Sequence, residues 1–121
     1  MFKTLLIEDD EDQCAMLMLI LGRSGFGVQS TNSAKAAVSI LLQERFDIII
    51  SDLRLPEIDG KALTSLIRAS AGPNQSVPIV ILSAANKEEV SGLFEAGATL
   101  VLDKNNLSEL GKKLLPLVAK S

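Results

Sequence analysis

Short apolar segments of strand length alternate along the chain with longer segments of helical periodicity. The strand-like segments are residues 5–7, 28–31, 46–51, 77–82 and 100–102. The strongest of them contains three consecutive isoleucines, Ile48 to Ile50, with charged residues on either side. A continuous β-branched run of this kind is typical of a parallel strand that is covered on both faces.

Polar residues and glycines mark the ends of the first helical segment. Asp10 or Asp12 is expected to cap a helix over about residues 13–21, and Gly22 and Gly25 are expected to stop it. We therefore interpret both aspartates as helix caps rather than as ligands.

Two pairs with the spacing Asn-x-x-Glu resemble capping boxes later in the chain. Asn86 with Glu89 and Asn106 with Glu109 predict where the fourth and fifth helices begin. Pro116 is expected to end or bend the fifth helix early, because proline lacks the amide hydrogen that a helix interior needs.

Five strands alternating with five helices predict an α/β fold, a doubly wound parallel sheet with helices on both faces. The chain has 121 residues, which is enough to bury one substantial core. Since no linker, repeat or low-complexity segment interrupts the pattern, residues 1–121 are predicted to form a single domain.

Polar side chains stand where four of the predicted strands end. They are Glu8 and Asp9, Asp52, Ser83, and Lys104. Parallel strands bring their carboxyl ends to one edge of a sheet, where ligands bind in open α/β folds. Three carboxylates held together repel one another, so either one keeps a proton or a cation lies among them. An oxygen-rich site of this kind favours Mg²⁺ over zinc.

Composition narrows the function classes. The formal net charge is −3, which leaves no basic surplus to neutralise phosphates and argues against nucleic acid as a direct partner. No apolar run is long enough to span a bilayer, and the one cysteine, Cys14, fits a reducing compartment, so we expect a cytoplasmic protein with no membrane partner. The chain has no histidine, which excludes an imidazole base or zinc ligand.

Each polar residue taken alone has an ordinary explanation. Ser83 would be a turn residue and Lys104 a solvated surface lysine, whereas Asp52 directly follows a buried run and is poorly placed for solvation. Their joint occurrence at strand ends favours a functional site. A carboxylate nucleophile, a divalent ion, a lysine and a serine hydroxyl together can stabilise a transferring phosphoryl group.

With these residues identified, the chain resembles the receiver domains of two-component response regulators over essentially its whole length. The segments that carry the resemblance are residues 5–10, 52–60, 81–84 and 95–98, with Lys104 following. It implies a flavodoxin-like sheet with the strand order 2-1-3-4-5.

The resemblance also implies roles for the candidate residues. Asp52 would be the phosphoacceptor. The Mg²⁺ ligands would be Asp9 directly, Glu8 through water, Asp52 itself and the backbone carbonyl of Arg54. The hydroxyl of Ser83 and the ammonium of Lys104 would each contact a phosphoryl oxygen.

The partners implied are a sensor histidine kinase or a histidine phosphotransfer protein upstream, and a downstream effector or output domain. The protein would be a switch that assists its own phosphorylation and dephosphorylation rather than a turnover enzyme. With 121 residues it would act through partners or be a fragment of a larger protein.

Two residues depart from the family pattern. Val101 replaces the usual aromatic residue three before the lysine, and Asn105 replaces the proline after it. They motivate an alternative, a binding module that keeps the fold and works without phosphorylation. A small aspartyl phosphatase is disfavoured because Arg54 stands where such enzymes carry a second acid, and a flavin carrier because stacking aromatics are scarce.

Residues 14–21 are apolar on every face of the predicted first helix. This pattern has two interpretations, a surface for a partner or for a homodimer, and deeper burial against a neighbouring helix.

Overall fold

The computed structural model describes residues 1–84 and 90–119, which form a five-stranded parallel sheet and its covering helices. The strands are β1 (Phe2–Ile7), β2 (Phe26–Thr31), β3 (Ile48–Asp52), β4 (Ile79–Ser83) and β5 (Leu100–Asp103). The helices are α1 (Glu11–Arg23), α2 (Ala34–Gln43), α3 (Gly60–Ala69), α4 (Leu93–Ala96) and α5 (Leu110–Val118). Among the described residues, no helix is long and apolar enough to cross a membrane.

The predicted sheet is confirmed, including its strand order β2-β1-β3-β4-β5 and its parallel pairing throughout. Two buried clusters cover its faces, one beside α2, α3 and α4 and the other beside α1 and α5. Side chains alternate between the faces, so Ile49 packs in the first cluster while Ile48 and Ile50 pack in the second. The isoleucine run is therefore buried on both sides, as its pattern indicated.

The first helix begins earlier and ends later than the sequence pattern indicated. Asp10 is its N-cap, with Oδ2 accepting a hydrogen bond of 3.0 Å from the amide of Gln13. The prediction that Gly22 stops the helix is wrong, because α1 continues to Arg23. An exposed glycine inside a helix costs only about 1 kcal/mol, which the rest of the helix can offset. The helix ends before Gly25, whose φ of +92° favours glycine.

The fifth helix differs from its prediction at both ends. It begins at Leu110 rather than after Asn106, and Glu109 caps it without a side-chain hydrogen bond. Pro116 does not end it, because the helix continues to Val118. Buried apolar residues outweigh both local signals by anchoring the helix to the sheet; they are Leu107, Leu110, Leu114 and Val118. The predicted capping box Asn86–Glu89 lies outside the described residues.

The turn between β3 and α3 depends on Gly60, whose amide donates a 2.6 Å hydrogen bond to the carbonyl of Leu53. A Cβ atom on Gly60 would lie 2.7 Å from the backbone oxygen of Asp52 and 3.0 Å from Cα of Leu53. Those contacts are with backbone, so they cannot be relieved by turning a side chain. The start of α3 therefore packs directly against the backbone at the end of β3.

We predict that Gly60→Ala lowers the free energy of unfolding by about 1–3 kcal/mol, because the added methyl group must displace the backbone of β3. Gly72→Ala is the matched control, since a Cβ there meets nothing within 4 Å. Urea unfolding followed by circular dichroism would measure both variants. Equal stability of the two would contradict the close packing at Gly60.

Candidate functional site

The sheet register brings the candidate strand ends to one level. Ile7 on β1 aligns with Ser51 on β3, Asp52 aligns with Leu82 on β4, and Ser83 aligns with Asp103 on β5. Asp52 and Ser83, together with Glu8 and Lys104 directly after β1 and β5, therefore lie at the carboxyl edge of the sheet, although they come from most of the chain.

Three acidic side chains converge at this edge. Glu8, Asp9 and Asp52 each place a carboxylate oxygen within 4.8 Å of the other two. Their surroundings differ, because Glu8 is 3% exposed and Asp52 is 7% exposed, whereas Asp9 faces solvent. The site is thus a buried pair of acids with a third at its open side.

Lys104, directly after β5, brings the positive charge of the cluster. Its Nζ lies 3.0 Å from Oδ2 of Asp52 and 3.7 Å from Oε1 of Glu8. Its backbone amide donates a 3.1 Å hydrogen bond to the carbonyl of Ser83, which holds the residue against the end of β4. Burial of the ammonium favours the neutral form, but the hydrogen bond and the charge of Asp52, with a further contribution from Glu8, raise the pKa of Lys104 overall.

The pKa of Glu8 is strongly shifted by this environment. Burial, then a hydrogen bond to Asp52 and the negative charge of Asp52, raise the pKa of Glu8 from 4.5 to about 7, although the charge of Lys104 opposes the change. Its Oε1 atom is buried and has no hydrogen-bond partner among the described residues. Among the residues that the structure describes, the three carboxylates of the cluster outnumber the single ammonium, that of Lys104, that contacts Glu8 and Asp52.

Asp52 is also held by the turn that follows it. The amide of Arg54 donates a 3.3 Å hydrogen bond to Oδ1 of Asp52, and the hydroxyl of Ser51 donates a 2.9 Å bond to the backbone oxygen of Asp52. The contact made by the Arg54 amide was not predicted from the sequence. An aspartate side chain commonly accepts a hydrogen bond from the amide two residues later in a turn, and this preference could have predicted the contact.

Ser83 is buried at the end of β4, one strand away from Asp52, and Arg54 is exposed at the mouth of the site. The structure thus places both residues at the predicted edge. The roles assigned to the Ser83 hydroxyl and to the Arg54 carbonyl stay predictions.

The family model described as "Response regulator receiver domain" matches residues 4–115 of the chain. The chain belongs to this family. It is a receiver domain of the kind found in two-component systems, where the matching proteins include response regulators and receiver domains of sensor kinases.

Individual comparisons agree with the family. The transcriptional regulatory protein PmrA from Pectobacterium parmentieri is 34% identical over 98% of this chain and 53% of its own length. The receiver domain of sensor histidine kinase PA1611 from Pseudomonas aeruginosa PAO1, solved with a magnesium ion in its active-site cleft, is 29% identical with a TM-score of 0.88, covering 98% of each chain.

The chemotaxis response regulator CheY4 of Vibrio cholerae is 27% identical to this receiver domain, with a TM-score of 0.86 and 98% of each chain covered. The chain spans about half the length of PmrA and about a fifth of the length of several other curated relatives.

The raised pKa of Glu8 predicts how stability varies with pH in metal-free buffer. Because the folded state holds the Glu8 proton up to about pH 7 and the unfolded state releases it near pH 4.5, stability falls as pH rises through this window. The loss should reach up to about 3 kcal/mol. Urea unfolding at several pH values between these limits would measure it.

Glu8→Gln removes this titration without removing the side chain. We expect the variant to lose much less stability than the wild type between these pH values, and to exceed the wild type above pH 7. Glu57→Gln, at an exposed acid outside the cluster, is the control and should follow the wild-type curve. Parallel curves for wild type and Glu8→Gln would contradict the pKa shift.

Proposed function

We propose that Asp52 accepts a phosphoryl group from a phosphohistidine on a sensor histidine kinase or a histidine phosphotransfer protein, with Mg²⁺ as cofactor. The phosphorylated domain then binds its effector or output domain differently. The observation that carries this proposal is the contact of 3.0 Å between Lys104 Nζ and Asp52 Oδ2 inside a cluster of three carboxylates. This contact brings the nucleophilic carboxylate of Asp52 and the positive charge of Lys104 together beside two further carboxylates.

The residues present fit a divalent cation. Within residues 1–84 and 90–119, three acids cluster with one lysine, so a net charge of about −2 remains when all four groups are ionised, and Oε1 of Glu8 is buried without a hydrogen bond. We assign Asp9 as the direct ligand, Glu8 as a ligand through water, and Asp52 and the carbonyl of Arg54 as the others. Mg²⁺ bound there would neutralise charge on the phosphoryl oxygens. The magnesium in the cleft of the PA1611 receiver domain supports the same choice of ion here.

The protein's own groups orient the reacting carboxylate. The amide of Arg54 holds Oδ1 of Asp52 and the ammonium of Lys104 holds Oδ2, so the side chain cannot rotate freely. One of these oxygens forms the new P–O bond as the P–N bond to the donor imidazole breaks. Such transfers depend mainly on positioning and on neutralising oxygen charge, which suits a site without histidine.

Lys104 and Ser83 then stabilise the product. The ammonium of Lys104 pairs with one phosphoryl oxygen and the hydroxyl of Ser83 donates to another. Because these residues end β5 and β4, their shift toward the phosphoryl group alters the surface that a downstream partner contacts. Water later cleaves the acyl phosphate, so the domain assists both steps yet acts as a cytoplasmic switch and not as a turnover enzyme.

Phosphorylation can be tested without the cognate kinase. With acetyl phosphate and Mg²⁺, we expect intact-mass spectrometry to detect one added phosphoryl group that is lost on standing. Asp52→Asn should abolish the addition because the amide is not a nucleophile of comparable strength. Asp47→Asn is the matched control and should still be phosphorylated, because Asp47 precedes β3 at the edge of the sheet opposite Asp52.

A persistent failure to gain mass, in a protein whose circular dichroism shows it folded, would contradict phosphoryl transfer. That result would favour the phosphorylation-independent binding module that Val101 and Asn105 motivate.

The metal assignment makes a separate prediction. Mg²⁺ should raise the melting temperature of the wild type at pH 8, since a ligand that binds only the folded state stabilises it. Asp9→Asn should remove most of this increase. Asp10→Asn is the matched control, because Asp10 caps α1 and asparagine caps equally well. An undiminished Mg²⁺ effect in Asp9→Asn would refute the role of Asp9, and calorimetric titration would measure the affinities.

A further inference from the structure

Helix α1 carries an apolar surface that nothing in the described structure covers. Leu17 and Leu21 are fully buried against the sheet, whereas Met16 is 42% exposed and Leu19 is 57% exposed. The interpretation of residues 14–21 as deeply buried is therefore wrong for this side of the helix. Apolar side chains clustered on one exposed side of a helix commonly mark an interaction surface.

Charged residues of opposite sign border this surface. Asp12, Met16, Leu19 and Arg23 are separated by four, three and four positions, a spacing that places them on one face of a helix. We call this set the α1 stripe. Both charged members are exposed, and neither side chain forms an ion pair or a hydrogen bond with any residue in 1–84 or 90–119.

The order of residues in the α1 stripe makes it complementary to itself. When a second copy of α1 runs antiparallel across a two-fold axis, residue 12 of one copy faces residue 23 of the other, and residue 16 faces residue 19. Each acid then meets a base, and the two apolar residues meet across the centre. A parallel arrangement would instead place acid against acid and base against base.

We propose that two copies of this chain associate through the α1 stripe with their α1 helices antiparallel. Asp12 pairs with Arg23 of the second copy at both ends, and Met16 packs on Leu19 of the second copy between them. Such an isologous interface uses the same patch on both subunits. Since one helix face buries less than about 1,200 Å², the association belongs to the weak and reversible class.

Sedimentation equilibrium from micromolar to millimolar concentration tests the association. We expect the mass to rise from 12.9 kDa toward twice that value as concentration increases. Leu19→Glu should remain monomeric, because it buries an unpaired charge at the centre of the interface. Leu42→Glu is the matched control, at a leucine 60% exposed on α2, and should associate like the wild type. Circular dichroism would verify that each variant is folded.

Charge exchange tests the antiparallel pairing itself. Asp12→Arg and Arg23→Asp, each alone, should weaken association about tenfold or more, because both ends of the interface then carry like charges. The double variant carrying both changes should restore it. A wild-type chain that stays monomeric up to millimolar concentration would overturn the proposal, and that is the result expected if α1 instead binds a different protein. Association that is unaffected by Leu19→Glu would also overturn it. So would a double variant that fails to recover association.

Discussion

The contact between Lys104 and Asp52 is the interaction on which the site depends. At an effective dielectric constant near 20, two carboxylates 4 Å apart repel by about 4 kcal/mol, so three acids cannot share one edge of the sheet without compensation. One lysine offsets only part of that repulsion. The high proton affinity of Glu8 and the proposed affinity for a divalent cation are two responses to the same excess of negative charge. The parallel sheet holds the acids in place against their repulsion.

Much of the site followed from topology alone. Parallel strands bring their carboxyl ends together, so the sequence alone predicts that the acids at the ends of β1 and β3 lie near the lysine after β5. Burial was harder to predict. Glu8 and Asp9 are adjacent in the chain, yet one is enclosed and the other faces solvent, because the packing of neighbouring strands and loops decides this difference. The predicted roles of the Ser83 hydroxyl and the Arg54 carbonyl depend on positions that the sequence does not specify.

Local signals failed where tertiary packing opposed them. The asparagine at 106 has the spacing of a capping residue, but Leu107 is buried before the helix begins and α5 starts only at Leu110. Gly22 and Pro116 would each destabilise an isolated helix. In this fold both helices continue past these residues, because buried leucines on α1 and α5 anchor the helices to the sheet. The apolar character of α1 was visible in the sequence, but only the structure separates its buried leucines from the exposed Met16 and Leu19.

The position of Lys104 along the chain has a consequence for assembly. Every acid of the cluster is already synthesised by residue 52, whereas the neutralising ammonium arrives with the fifth strand, about fifty residues later. A chain interrupted before that strand would retain the mutually repelling carboxylates and lack their counterion. The acidic cluster therefore gains its counterion only when the whole sheet has been synthesised. A truncated chain would lack the Lys104 ammonium and would not form the same site.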